Sequence, residues 1–233
     1  MVQNKGVFVM SRKPLLPIHK KLYKKFGKQY WWPGETPFEV CVGTILTQST
    51  SWSNVEKAID NLKKEDLLSP KKLNCVETKK LVELIKSAGY FNAKARKLKE
   101  FTTHLRENHN SDLDRLFSQP IPKLREELLS IWGIGPETAD SIILYAAGKP
   151  TFVVDAYTKR VFHRLGFTKE NIDYEKLKEF SENNLPRDTQ VYNEFHALIV
   201  RLGKEHCKKT KPLCEECPLI KECKQKYSKG GNK

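Results

Sequence analysis

No apolar run in this chain approaches the ~20 residues that a membrane-spanning helix needs. The longest, residues 40–46 and 142–147, stop far short, and residues 1–10 hold a lysine and a broken apolar run instead of a secretory h-region. The chain is therefore expected in the cytoplasm, with its thiols reduced. Acidic side chains are also in deficit: 28 Asp and Glu face 42 Lys and Arg, for a net charge of +14 and a pI near 9.4. Such an excess repels itself in a compact state and calls for an anionic partner. A nucleic acid and an acidic membrane surface both satisfy the charge, and the lack of a membrane element favours the first. No repeat of period 20–50 occurs and no Gly/Ser linker divides the chain. Low complexity is confined to residues 224–233, a basic tail with Gly230 and Gly231 that is expected to be mobile. Strand-like runs are few; residues 151–154 are the best and too short for a sheet. What remains, 39% hydrophobic and 30% charged over 233 residues, suffices for a packed core and excludes a disordered chain.

The pattern that is present is helical almost throughout. Thr36-Pro37-Phe38-Glu39 reads as a capping box with proline at the first helical position, followed by an apolar face of Phe38, Val42, Ile45 and Leu46. A second helix is expected from about Asn54, with Val55, Ile59 and Leu62 inward. Leu124, Leu128, Ile131 and Trp132 recur at helical spacing, and so do Tyr192, Phe195, Ile199 and Leu202. The fold class is all-α.

Of six cysteines, Cys41 and Cys75 stand alone and read as small core residues. Cys207, Cys214, Cys217 and Cys223 crowd into 17 residues as Cys-x6-Cys-x2-Cys-x5-Cys. Structural zinc usually shows two separated Cys-x2-Cys pairs and only one occurs here. Four unequally spaced thiolates also suit a [4Fe-4S] cube, and a disulfide pair is disfavoured by the compartment.

The segment Leu129-Ser130-Ile131-Trp132-Gly133-Ile134-Gly135-Pro136-Glu137-Thr138-Ala139 has the form helix, Gly-Ile-Gly, helix. Two glycines two apart allow positive φ and let another backbone come close. The turn and the following helix start present N–H groups to one outside point, an anion site suited to a phosphate. Such a helix-hairpin-helix grips DNA backbone without reading sequence. The bland alternative is an αα-hairpin whose glycines merely cap a helix.

From Gly133 to Gly166 the sequence GIGPETADSIILYAAGKPTFVVDAYTKRVFHRLG resembles the helix-hairpin-helix DNA glycosylases of the endonuclease III superfamily, and the likeness extends from about Trp31 to Cys223. The 3-methyladenine glycosylase branch, with a similar Trp-Trp-Pro and a glutamate at the hairpin, is the nearest. The resemblance implies two helical lobes. Residues 31–147 would form a helical barrel carrying the hairpin; residues 1–30 with 148–233 would form a lobe closed by the cluster. Duplex DNA with a damaged base would lie between them, bound by a monomer associated with the nucleoid. Asp155, in Val-Val-Asp, would be the catalytic carboxylate that stabilises an oxocarbenium-like sugar and directs water; read from residues alone, it is equally an N-cap for the helix that follows.

Where strand-cutting relatives carry a Schiff-base lysine, this chain has Glu137, which cannot form an imine. Lys159 and Lys204 have no argument in their favour as substitutes. A hydrolytic, monofunctional enzyme is expected, with Glu137 beside the reaction. The cysteine spacing is that of the iron–sulfur members, so the resemblance decides for [4Fe-4S], with Lys208, Lys209 and Lys211 on a loop facing phosphates. Gln48 and Tyr90 match the residues that fill the gap left by a flipped base; otherwise they are a helix-end glutamine and a core aromatic. Gly133, Gly135 and Thr138 would meet the backbone. Trp31 and Trp32 would sandwich a purine, with a cation–π gain for an alkylated base; core packing is their alternative. The substrate expected is an alkylated purine. A neutral mispaired, deaminated or oxidised base would need a general acid, for which Glu137 and Tyr145 are weak candidates. A bifunctional glycosylase/lyase and a non-catalytic DNA-binding module complete the readings.

Overall fold

The computed structural model describes residues 14–225. The outer ends of the second expected lobe, and most of the basic tail, lie outside these residues. Among the described residues there is no strand, and no helix is long and apolar enough to cross a membrane.

Helix α1 (Leu15–Phe26) precedes the Trp31–Trp32 segment, which leads into α2 (Pro37–Leu46). The start of α2 follows the capping logic: the Thr36 hydroxyl accepts the Glu39 N–H at 3.1 Å. The reciprocal bond is displaced by one residue, because the Glu39 carboxylate takes the N–H of Glu35 at 3.2 Å. The expected single apolar face is corrected. Every residue from Phe38 to Leu46 is buried, since α2 is surrounded by other helices and its run Val-Cys-Val-Gly-Thr-Ile-Leu has no solvent side. Helix α3 (Trp52–Lys64) starts two residues before Asn54, and buries Val55, Ile59 and Leu62 as expected.

Short helices α4 (Pro70–Cys75) and α5 (Thr78–Leu84) lead to α6 (Phe91–His109), then α7 (Leu113–Phe117) and α8 (Ile121–Ser130). Cys75 is exposed, not core: it ends α4, whose inward residue is Leu73. Trp132 also departs from the expected apolar stripe. Helix α8 ends before it, its ring is 45% exposed, and the Arg96 guanidinium covers one face at 3.8 Å. Helix α9 (Pro136–Ser141) runs on through a wide π-turn over Ile142–Ala146. The extended, buried segment 151–154 then delivers the chain to α10 (Ala156–Leu165), α11 (Tyr174–Asn183) and α12 (Thr189–Glu205).

Two hydrophobic clusters result. One gathers side chains from Phe38 to Ile143. The other joins Leu15, Ile18 and Leu22 of α1 to side chains from Leu144 to Leu219, including the expected stripe Tyr192, Phe195, Ile199 and Leu202. Burying a Leu or Phe is worth roughly 1.5–3 kcal/mol, so each cluster is a core in its own right. Between them lies a buried ionic knot. Asp140 of α9, fully enclosed, receives Arg125 of α8 (2.9 and 3.2 Å), Lys178 of α11 (2.7 Å) and the Tyr174 hydroxyl (2.9 Å). A buried carboxylate is tolerable only with such donors, and here they bind the hairpin to the second cluster.

Candidate active site

A cleft of about 790 Å³ opens where the two clusters meet, with walls from Trp31, Gln48, Gly135, Glu137, Asp155 and His196 among others. Asp155 stands at the N-terminus of α10. Its Oδ1 accepts the Thr158 N–H at 2.7 Å and the Thr158 hydroxyl at 2.8 Å, so the carboxylate caps the helix with one oxygen. The other, Oδ2, remains on the cleft side, 3.7 Å from His196 Nε2. The two readings of Asp155 are thus compatible in geometry: the cap fixes the side chain and leaves an oxygen for chemistry.

Glu137, in the first turn of α9, shares the cleft. Desolvation pushes its carboxyl up to about 7, the Asp155 charge adds to this, and Lys159 opposes it, while part of the residue stays open to solvent. The proton is held to higher pH than on an ordinary glutamate. Tyr145, on the π-turn, meets His196 Nδ1 at 2.5 Å. Burial raises the phenol well above its usual range and the Asp155 charge adds to that, so its proton stays on oxygen and is committed to His196. This disfavours Tyr145 as an acid toward a leaving base. Burial likewise depresses His196, with Asp155 opposing.

The hairpin glycines differ in kind. Gly133 has φ +84°, and a Cβ there would lie 2.5 Å from Lys97 Cγ; it is glycine for conformation and for space. Gly135 caps α9 in extended conformation (φ −93°, ψ 178°), so of the two glycines that could take positive φ only Gly133 does. A Cβ on Gly135 would meet nothing within 4 Å, because that side faces the open cleft. Thr138 is buried, and its hydroxyl accepts the Gln48 side-chain amide at 2.8 Å. The Gln48 carbonyl in turn takes the Lys97 ammonium. Gln48 is therefore held at the end of α2, between α6 and the hairpin, facing the cleft.

Trp31 and Trp32 both line the cleft, but their rings meet edge to face (5.5 Å, 77°) and do not stack. Trp32 packs at right angles on Trp52 (5.2 Å) and against Tyr145 (5.3 Å), and Gly43 makes room for its indole. A sandwich of one base between the two indoles is corrected to one aromatic corner, in which Lys204 approaches the Trp31 face at 5.8 Å. Tyr90 is 74% exposed at the start of α6, with φ +44°; it is no core aromatic. Lys208, Lys209 and Lys211 are exposed on the cysteine loop and lie outside the cleft walls. His196 and Lys97 were missed as cleft residues by the sequence reading, which named Lys204 only as a possible Schiff-base substitute. His196 alone carried a signal, a lone histidine inside Phe-His-Ala-Leu-Ile-Val.

The four cysteines form no disulfide. Burial raises the Cys217 thiol to about 11, and the charges of Cys207, Cys223 and Cys214 add to it, so the sulfurs face one another. No three of them come within 4.8 Å of one another among the described residues, whereas 2.3 Å bonds to one tetrahedral zinc would bring sulfurs to ~3.8 Å. Two arginines of α10 brace the loop. Arg160 donates to the Cys207 carbonyl (2.8 Å), and Arg164 donates to Cys207 Sγ (3.3 Å) and to the carbonyls of Lys208 (2.8 Å) and Lys209 (3.2 Å).

Comparison with known proteins places these features in context. Residues 42–187 match the HhH-GPD superfamily of base excision DNA repair proteins. A Methanocaldococcus jannaschii protein assigned by name to the DNA repair glycosylases is 51% identical over 216 residues, 90% of this chain and 95% of that one. A solved non-covalent endonuclease III–DNA complex superposes with TM-score 0.78 at 25% identity, over 92% of this chain and 96% of that one. The H. pylori 3-methyladenine DNA glycosylase bound to 1,N6-ethenoadenine gives TM-score 0.70 at 29% identity, over 83% and 97%.

Proposed function

The chain belongs to the HhH-GPD superfamily as a base excision repair DNA glycosylase, an enzyme acting on DNA, and from that premise we propose that it is monofunctional and hydrolyses the bond to an alkylated purine. The observation that carries this is Asp155: one oxygen is locked by Thr158 and the other lies toward a cleft shared with Glu137, the residue that the resemblance matches to the Schiff-base lysine of strand-cutting relatives. A fixed carboxylate beside the anomeric carbon stabilises the developing oxocarbenium charge. An alkylated purine is already a cationic leaving group, and the aromatic corner of Trp31, Trp32 and Trp52 offers it π-faces.

Duplex DNA would dock with its backbone on the open side of Gly135. Gln48 and the protruding Tyr90 would fill the gap left by the flipped nucleotide, Gln48 exchanging its bonds to Thr138 and Lys97 for the unpaired base. The thiols of Cys207, Cys214, Cys217 and Cys223 would hold a [4Fe-4S] cluster that stiffens the loop bearing Lys208, Lys209 and Lys211. We assign the enzyme to the cytoplasm, as a monomer on nucleoid DNA, with one lobe of residues 31–147 and the other of residues 1–30 together with 148–233.

A second reading is favoured by one specific observation. Glu137, raised to about 7, carries its proton in part of the molecules at neutral pH and can give it to an uncharged leaving base. Duplexes carrying 3-methyladenine, 1,N6-ethenoadenine, 8-oxoguanine, or uracil or thymine opposite guanine separate the two when released bases are measured. Methylated purine is expected in solution, and Asp155→Asn is expected to bind and release nothing. Borohydride treatment is expected to trap no covalent adduct; an adduct lost in Lys204→Ala would make the enzyme a lyase.

A further inference from the structure

His196 of α12 is 95% buried by neighbours that include Phe152 and Tyr145, yet its Nε2 has no hydrogen-bond partner. Buried ring nitrogens are ordinarily satisfied. Its other nitrogen is: Nδ1 meets the Tyr145 hydroxyl at 2.5 Å. Burial depresses His196 and burial raises Tyr145, with the Asp155 charge acting on both, so a neutral ring faces a protonated phenol. The phenol then donates to Nδ1, and the ring proton lies on Nε2. Nε2 itself lies 3.7 Å from Asp155 Oδ2. The gap is too long for a hydrogen bond, but an oxygen beside both atoms reaches each at ~2.8–3.0 Å. Asp155 is the charge that acts on His196, while Glu137 and Lys204 line the same cleft; Asp155 Oδ1 is already committed to Thr158.

We propose that His196 positions the attacking water: its Nε2–H donates to the water oxygen while Asp155 Oδ2 accepts one of the water protons. As the C1′–N bond breaks, its electron pair leaves with the base. The water oxygen forms the new C1′–O bond, its proton passes to Asp155 Oδ2, and His196 keeps its own proton throughout. Tyr145 serves one step back, since its donation to Nδ1 fixes which nitrogen bears hydrogen. The π-turn over Ile142–Ala146 is what brings its hydroxyl there. The inference rests on the hydrolytic reading above.

The test uses duplex DNA methylated with dimethyl sulfate, single-turnover release of methylpurines, and binding to a duplex carrying a tetrahydrofuran abasic analogue. His196→Leu is expected to lower the release rate on the order of 10²-fold, with analogue binding unchanged. His196→Gln, whose amide N–H reaches the same point, is expected to restore most of that rate. Equal loss in the Leu and Gln variants would reduce His196 to packing and overturn the proposal; so would a wild-type rate in His196→Leu with Asp155→Asn inactive. A fully active Asp155→Asn, or a borohydride-trapped adduct in the wild type, would sink the hydrolytic reading instead. Should His196→Leu fail to fold, Tyr145→Phe is decisive: a slower rate with an altered pH profile supports the relay, and a profile superimposable on wild type refutes it.

Discussion

Replacing each hairpin glycine by alanine separates two roles that the motif merges. At Gly133 the φ of +84° costs an L-residue about 1–2 kcal/mol, and the added Cβ would press on Lys97 Cγ at 2.5 Å, displacing the lysine that holds Gln48. In a chain of this length that corresponds to a melting temperature lower by roughly 2–8 °C. At Gly135 the backbone is extended and a Cβ would meet no atom within 4 Å. Gly135→Ala is therefore expected to melt at or slightly above the wild-type temperature, because alanine restricts the unfolded chain. The same methyl would stand where a phosphate approaches. Losing one charge-assisted hydrogen bond costs about 1.5–3 kcal/mol, or roughly 10–150-fold in affinity. Thermal melts by circular dichroism, and fluorescence anisotropy with an abasic-analogue duplex at fixed salt, read the two effects. A Gly135→Ala protein that binds this duplex as tightly as wild type would refute the assignment of that face to the backbone.

Other expectations follow from the same geometry. Asp140→Ala strands Lys178 and Arg125 without their buried partner and should destabilise the fold by about 3–5 kcal/mol; calorimetry checks this, and a stable variant would mean the knot is ornamental. If Glu137 gives a proton to an uncharged base, release from such a duplex should decline as pH rises through about 7, since the carboxyl is protonated only below that value. Glu137→Gln should flatten this limb while leaving methylpurine release nearly intact. If the four cysteines hold the proposed [4Fe-4S] cluster, the purified protein should be yellow-brown and absorb at about 400 nm. Arg164→Ala should lose that colour faster under a chelator, because the loop carbonyls and Cys207 Sγ lose their donor.

The helical class, the α2 cap, the hairpin and the cysteine loop were legible because each rests on local rules: spacing, capping chemistry and turn residues. The rest depended on what lies across the fold. Nothing local says that α2 is enclosed on all sides, or that Trp132 is covered by an arginine 36 positions earlier instead of by the core. The Trp-Trp pair announced an aromatic site, but ring angles are set by Trp52 and Tyr145, which are distant in the chain. His196 was hidden for a different reason. A histidine within an apolar helical face looks like packing until its neighbours are known. Thr138, expected at the DNA, lines the cleft with its hydroxyl taken up as the seat of Gln48.

Helix α1 packs its leucines into the same cluster as α12 and Leu219, while everything from α2 to the hairpin builds the other cluster without them. A ribosome making this chain therefore releases the material of the hairpin core whole, well before α12 exists to receive α1. The half that carries Asp155 closes last, when both flanks have arrived, and the segment waiting longest is the one emitted earliest. Synthesis stopped between α9 and α12 would leave the hairpin core with no finished chamber behind it.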